Sequence, residues 1–252
     1  MPRALIVTLL IGDTYRQMWR RYCERSWRAY AQVHGFDVLV HEEIIDRTAS
    51  PKHLLTWQKL LIGELEAAQA YDVLIWIDAD IVINTLLMPP DILAGMPEDK
   101  IGGVRYHALL SFPMFELAHR RMCRGLDARA FKAGIYGDHR LEADPDSLLN
   151  SGVLVIPCRQ APFLRDVYMK YRDVTPNPQQ QEQPFLSYEL HKAGLMHFLD
   201  EKFNAVWYEY KESVYWGDKP PEQFQRVAVQ RILSQVYFLH FAGTHKDMAL
   251  LD

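Results

Sequence analysis

Residues 4–10 (ALIVTLL), Val73–Ile77 (VLIWI) and 152–156 (GVLVI) are apolar almost without interruption. A strand with one wet face alternates apolar and polar residues, so an unbroken apolar strand has both faces covered. None of the runs approaches the roughly 20 residues of a membrane span. They therefore call for helices packed on both sides of a sheet. Residues 15–34 supply the first, with Met18, Tyr22, Ser26, Tyr30 and Val33 at helical spacing and Gly35 as a stop.

Residues 36–40 read as the next strand, 51–70 as a second helix and Val73–Ile77 as a third strand. Strand, helix, strand, helix, strand at this spacing predicts βαβ units. The expected class is α/β, with a mainly parallel central sheet flanked by helices. Ile101–Arg105, 152–156 and 237–241 add strands, and 185–193 adds a helix. Residues 124–149 and 173–184 are polar and rich in turn formers, and read as long loops. No repeat or linker divides the 252 residues, so one domain over 1–252 is expected.

Several function classes drop out for want of a motif. The chain has no G-x-G-x-x-G, Walker G-x-x-x-x-G-K, G-x-S-x-G or H-E-x-x-H. A net charge of −4 gives no footprint for a polyanion, which disfavours a nucleic-acid partner. Three scattered cysteines make no disulfide framework and are expected as reduced thiols. The N-terminus MPRALIVTLLIGD lacks a cleavage site of small residues, so a soluble, cytoplasmic protein is expected.

The third strand runs straight into Asp78-Ala79-Asp80. Ligands of open α/β sheets bind beyond the carboxyl ends of the strands. Residues i and i+2 of a strand share a side, so these carboxylates are expected to face one point and suit Mg²⁺ or Mn²⁺. A second D-x-D, Asp144-Pro145-Asp146, lies among turn residues and is expected to cap and turn the chain. Two more stretches add weight. Asn150-Ser151-Gly152 is a turn signature at the entry to a buried strand. His240-Phe241-Ala242-Gly243-Thr244-His245-Lys246 has the form H-x-x-G-x-x-K at the end of an apolar run. There an imidazole could complete a metal site, a glycine admit backbone to a phosphate and a lysine neutralise phosphate oxygens.

A strand ending in D-x-D, then N-S-G-V-L-V-I, then H-x-x-G-x-x-K resembles the nucleotide-sugar glycosyltransferases of the GT-A fold. The resemblance is closest to the retaining families 8 and 34 and spans residues 4–246. It implies that Asp78, Asp80 and His240 bind Mn²⁺ or Mg²⁺, which holds the diphosphate of a UDP-sugar. It implies that Lys246 contacts that diphosphate and that Gly243 permits its approach. Asn150 and Ser151 would lie beside the donor sugar. Glu182-Gln183 resembles the family's Asp-Gln, which would place Gln183 near the anomeric carbon. Trp57-Gln58-Lys59 resembles family 34, where the lysine faces the donor. Thr8 and Tyr15 are the candidates for the nucleoside pocket, and Asn204, in Phe203-Asn204, reads as structural.

The resemblance implies transfer of a sugar to a hydroxyl acceptor, a saccharide in preference to other acceptors, with retention of anomeric configuration. Asn150, Glu182 and Gln183 would surround the oxocarbenium-like sugar, and Glu182 as nucleophile is the variant mechanism. Residues 1–105 would hold the nucleotide and 106–252 the acceptor, with exposed aromatics among Trp207, Tyr208, Tyr210, Tyr215 and Trp216 contributing. Two departures stand out: Glu182 where the family has Asp, and Asp247-Met248 where family 8 has Pro-Trp. The rival readings are a sugar-nucleotide pyrophosphorylase and a non-catalytic binding module. The first calls for a Gly-rich, basic loop after strand one, and residues 9–14 (LLIGDT) have one glycine and no lysine. Arg16, Arg20, Arg21, Arg25 and Arg28 read as a solvated helix face.

Overall fold

A computed structural model describes residues 2–48, 55–106, 127–174, 177, 180–214 and 220–252. The expected strands form. β1 (Ala4–Leu9), β2 (Asp37–His41), β3 (Val73–Ile77), β5 (Ile101–Arg105), β6 (Leu149–Pro157) and β7 (Met196–Phe198) build a six-stranded sheet. Its order is β2-β1-β3-β6-β5-β7. β1 runs parallel to β2 and β3, and β5 to β7, while β6 is antiparallel to both of its neighbours. A second sheet, β4-β9-β8, is made of β4 (Ile81–Ile83), β8 (Ala205–Val206) and β9 (Phe238–His240).

Both faces of the large sheet are covered, for the reason its apolar strands required. Ile6, Ile75, Ile77 and Val155 pack against Trp19, Trp27 and Tyr30 on one side. Leu5, Val7, Leu74, Trp76 and Ile156 pack against Trp57, Leu60, Leu164 and Tyr168 on the other. Each such side chain taken fully out of water contributes about 1.5–3 kcal/mol.

The helices differ in detail from expectation. The single helix over 15–34 is two, α1 (Asp13–Tyr22) and α2 (Glu24–His34), parted at Cys23. The thiol donates to the carbonyl oxygen of Ala79 at 3.4 Å, and Trp27 Nε1 donates to that of Ile81 at 2.8 Å. Two short contacts to the same turn favour a bend over a straight rod. Val33, expected on the apolar stripe, is 57% exposed, and Trp19 and Trp27 occupy the buried face instead.

Over 51–70, residues 51–54 lie outside the described residues, and the rest forms two 3₁₀ segments, Leu55–Glu64 and Glu66–Ala70. Six consecutive residues, Trp57 to Ile62, are buried. A segment buried all round carries no helical stripe. The expected loop 124–149 contains helix α3 (Ala128–Asp138), and its first three residues lie outside the described set. Helices α4 (Ala161–Tyr171), α5 (Gln183–Lys192), α6 (Trp207–Val214) and α7 (Glu222–Leu233) complete the chain. Among the described residues, no helix is long and apolar enough to cross a membrane.

Candidate functional site

β3 stops at Ile77, so Asp78 and Asp80 do not meet by strand alternation. They sit on a turn closed by Ile81 N–H donating to Asp78 O at 3.1 Å, after which the chain enters the second sheet. Asp78 N–H donates to Gly152 O at 2.8 Å and Phe241 N–H to Asp80 O at 2.9 Å. β6 and the segment after β9 thus hold the turn from either side. His240, the last residue of β9, pairs with Ile81 in the sheet and brings its ring to the same point. Its Nε2 lies 3.2 Å from Asp80 Oδ1 and 3.7 Å from Asp78 Oδ2.

Among the described residues, Asp78, Asp80 and His240 form the group that could hold a metal ion, with ligand atoms within 4.8 Å of one another. Adjacent ligands at about 2.1 Å from an octahedral ion stand about 3.0 Å apart, so the spacing fits. Two hard oxygens and one imidazole suit Mn²⁺ or Mg²⁺.

Behind the turn lies a buried ion network. Lys59, 2% exposed, reaches Asp78 Oδ1 at 3.0 Å, Glu182 Oε1 at 3.1 Å and Ser151 O at 3.1 Å. Ser151 Oγ donates to Glu182 Oε1 at 2.5 Å, and Trp76 Nε1 to Asp78 Oδ1 at 2.7 Å. Lys59 lies against two of the three carboxylates, Asp78 and Glu182, and a divalent cation would balance the remaining charge.

Burial pushes Lys59 down, but Asp78 and Glu182 overcome it and leave the ammonium above its ordinary value. Burial also opposes ionisation of Glu182, yet Lys59 and Ser151 hold it below the usual carboxylate range. Asp78 goes the other way, since burial outweighs Lys59 and His240 and raises it. For Asp80, burial is outweighed by His240 and the carboxyl falls. Burial would lower His240, but Asp80 and Asp78 raise it.

The residues expected to face the sugar adjoin this network. Gln183 Oε1 accepts from Ser151 N–H at 3.1 Å. Asn150 Oδ1 accepts from Gly152 N–H at 2.9 Å. Glu182 Oε2 is buried without a hydrogen-bond partner, as is Thr8 Oγ1 at the end of β1. Tyr15 is raised first by its burial and then by Asp80 and Asp78, and its ring lies 5.9 Å from that of His245.

Gly243 adopts φ 65°, a left-handed turn in which an L side chain is strained. Lys246, by contrast, is exposed on the 3₁₀ turn His245–Leu251 and makes no hydrogen bond or ion pair with the cluster. Sequence reasoning missed the parts played by Trp76 and Asn204. Both give hydrogen bonds to the site, and their signal was only proximity in the fold.

Asp144 caps its own turn by accepting from Asp146 N–H and pairs with Arg129, and Asp146 pairs with Arg129 and Lys132. Of the arginines, Arg16 pairs with Asp13 and Glu42, Arg20 with Glu42, Arg21 with Asp252 and Arg28 with Glu24. Exposed pairs of this kind contribute little. Trp207 and Tyr210 are buried, Tyr208 is exposed, and Tyr215, Trp216 and Cys123 lie outside the described residues. Asp247, the departure from the family pattern, accepts from Trp207 Nε1 at 3.0 Å and from Lys211 Nζ at 3.1 Å.

Gly152 meets a steric demand. A Cβ there would stand 2.6 Å from His240 Nδ1 and 3.0 Å from Asn150 Oδ1. Gly152→Ala is therefore expected to push the imidazole off its position, cost about 1–3 kcal/mol of stability and weaken Mn²⁺ binding. Chemical denaturation and metal titration of the variant measure both; unchanged values would contradict the close approach.

No protein-family model matches the chain, and no curated protein matches it by sequence. Solved structures match it in fold. A glycosyltransferase involved in glycosylation of the major capsid of PBCV-1 superposes with a TM-score of 0.59 at 13% identity, covering 99% of this chain and 100% of that one. WbbM, a bifunctional glycosyltransferase, gives 0.54 at 13% identity over 98% of this chain and 49% of its own, so this chain spans about half of it. The galactosyltransferase LgtC, solved with donor and acceptor sugar analogues, gives 0.50 at 15% identity over 98% and 94%. The α/β architecture is thus that of GT-A glycosyltransferases.

Proposed function

We propose that this chain is a metal-dependent glycosyltransferase that moves a sugar from a UDP-sugar to a hydroxyl acceptor, a saccharide by preference, with retention of configuration. The observation that carries this reading is the convergence of Asp78, Asp80 and His240 beyond the end of β3, beside the buried Lys59–Glu182–Ser151 network. A divalent ion bound there supplies positive charge to a departing diphosphate.

The chain's own residues do the rest. Lys59 fixes Asp78 and Glu182 in one orientation, so the site is organised before the donor arrives. Glu182 stays ionised under Lys59, which suits charge stabilisation beside the sugar better than acid catalysis. Asn150 is held at Gly152 and Gln183 at Ser151, each by its side-chain carbonyl oxygen. Tyr15 and Thr8 border the nucleoside, with residues 1–105 forming the nucleotide side and 106–252 the acceptor side. In transfer with retention, the anomeric C–O bond to phosphate breaks and the bond to the acceptor oxygen forms on the same face. The acceptor's proton passes to the departing phosphate.

The test is release of UDP from a panel of UDP-sugars, with and without Mn²⁺. Slow, Mn²⁺-dependent hydrolysis of one donor supports the reading and names the sugar. Failure of every donor to turn over, and to bind by calorimetry with metal present, overturns it.

A further inference from the structure

His240 can act as a ligand only if Nε2 carries the lone pair, and its surroundings at that nitrogen favour the opposite. Two carboxylate oxygens lie 3.2 and 3.7 Å from Nε2, and both attract a proton to it. The counterweight is on the far side of the ring, where Nδ1 lies 2.8 Å from Asn204 Oδ1. Whether that atom is an oxygen follows from the chain of bonds behind it.

Gly152 N–H is a backbone donor, and it points at Asn150 Oδ1, 2.9 Å away, so the Asn150 atom there is the carbonyl oxygen. An oxygen at that place takes a donor from Asn204, whose Nδ2 stands 2.9 Å from it and 3.4 Å from Asn150 O. The other end of the Asn204 amide is then an oxygen, and it accepts a proton from His240 Nδ1. Asn204 and His240 are 4% and 3% exposed, which keeps water from competing for these positions.

We propose that Asn204 is a positioning residue. The relay Gly152 N–H, Asn150, Asn204, His240 Nδ1–H holds the imidazole in the tautomer that presents a bare Nε2 to Asp78 and Asp80. This rests on the metal-site reading above and deepens it. It also ties the strand that carries Asn150 and Ser151 to His240 on β9 through Asn204.

The test combines ¹⁵N NMR of the histidine ring with Mn²⁺ titration. Metal-free protein, at a pH high enough for the His240 ring to be neutral, should show His240 protonated at Nδ1. In Asn204→Leu the carboxylates should draw the proton to Nε2, and Mn²⁺ should bind roughly 10–100-fold more weakly. Asn204→Asp restores an acceptor for Nδ1–H, so it should recover the Nδ1–H tautomer and bind Mn²⁺ more tightly than the leucine variant. A merely structural role would alter stability without moving the tautomer.

Wild type with its proton on Nε2, or a folded Asn204→Leu with wild-type tautomer and affinity, overturns the proposal. Should Asn204→Leu not fold, the wild-type tautomer and the Asp variant still decide it. If wild type shows Nδ1–H yet binds no Mn²⁺, the metal-site reading fails while the relay stands.

Discussion

On the proposed function, replacing Asp80 with alanine should lower kcat/KM for Mn²⁺-dependent UDP release at least about a thousandfold, equivalent to about 4 kcal/mol of transition-state stabilisation. Asp80 supplies the oxygen nearest His240 Nε2, at 3.2 Å, and truncation leaves two ligands where three converge. The expected loss is mainly in metal affinity, so high Mn²⁺ should restore part of the rate. Asp144→Ala is the matched control and should leave the rate unchanged, because Asp144 caps a turn and pairs with Arg129, and touches neither Asp78, Asp80 nor His240. A rate for Asp80→Ala within tenfold of wild type would sink the assignment.

The same ligands set the sign of the pH dependence. His240 is raised by Asp80 and Asp78 despite its burial, so it holds a proton to higher pH than a free imidazole. Mn²⁺ must displace that proton. Affinity should be full above the raised value and fall as pH drops through it, before ordinary histidines titrate. Calorimetric titration of Mn²⁺ across neutral pH checks this.

The second large effect falls on stability. Lys59→Met removes the cation that serves Asp78 and Glu182 and leaves Glu182, 1% exposed, as a buried charge without its partner. Breaking a buried pair this way costs about 3–5 kcal/mol. For a chain of this size that is a fall in Tm of roughly 6–20 °C.

The pH signature separates the effect from lost packing. Glu182 is depressed in the folded protein, so its stabilisation is present above the ordinary value of 4.5 and lost as pH falls through the depressed one. Lys59 is raised, so its share is full below its ordinary value of 10.5 and lost as pH rises through the raised one. The gap between wild type and Lys59→Met should be widest near neutral pH and close as the carboxylates protonate. A melting-temperature difference independent of pH would assign the loss to packing alone.

What could be read from the chain by itself was whatever depends on local pattern. Unbroken apolar strands demand cover on both faces, and βαβ spacing demands parallel neighbours, so the architecture followed from residues 4–10, Val73–Ile77 and the helical stripes between them. The D-x-D at the end of β3, together with the late histidine, named three residues that the fold brings to one point. Tertiary structure decided the rest. Cys23 bends a helix that periodicity would run straight, because its thiol and the Trp27 indole meet carbonyls of the Asp78–Ile81 turn from 56 and 54 residues away in sequence. The carboxylates meet through that turn rather than along a strand, since β3 and β4 belong to different sheets. Lys59, Glu182 and Ser151 come together from three distant elements, and so do Asn150, Asn204 and His240. Periodicity in sequence reports which face of an element is buried. Which polar groups share a buried point, and which proton each must carry, depends on hydrogen-bond partners that only the folded chain brings within reach.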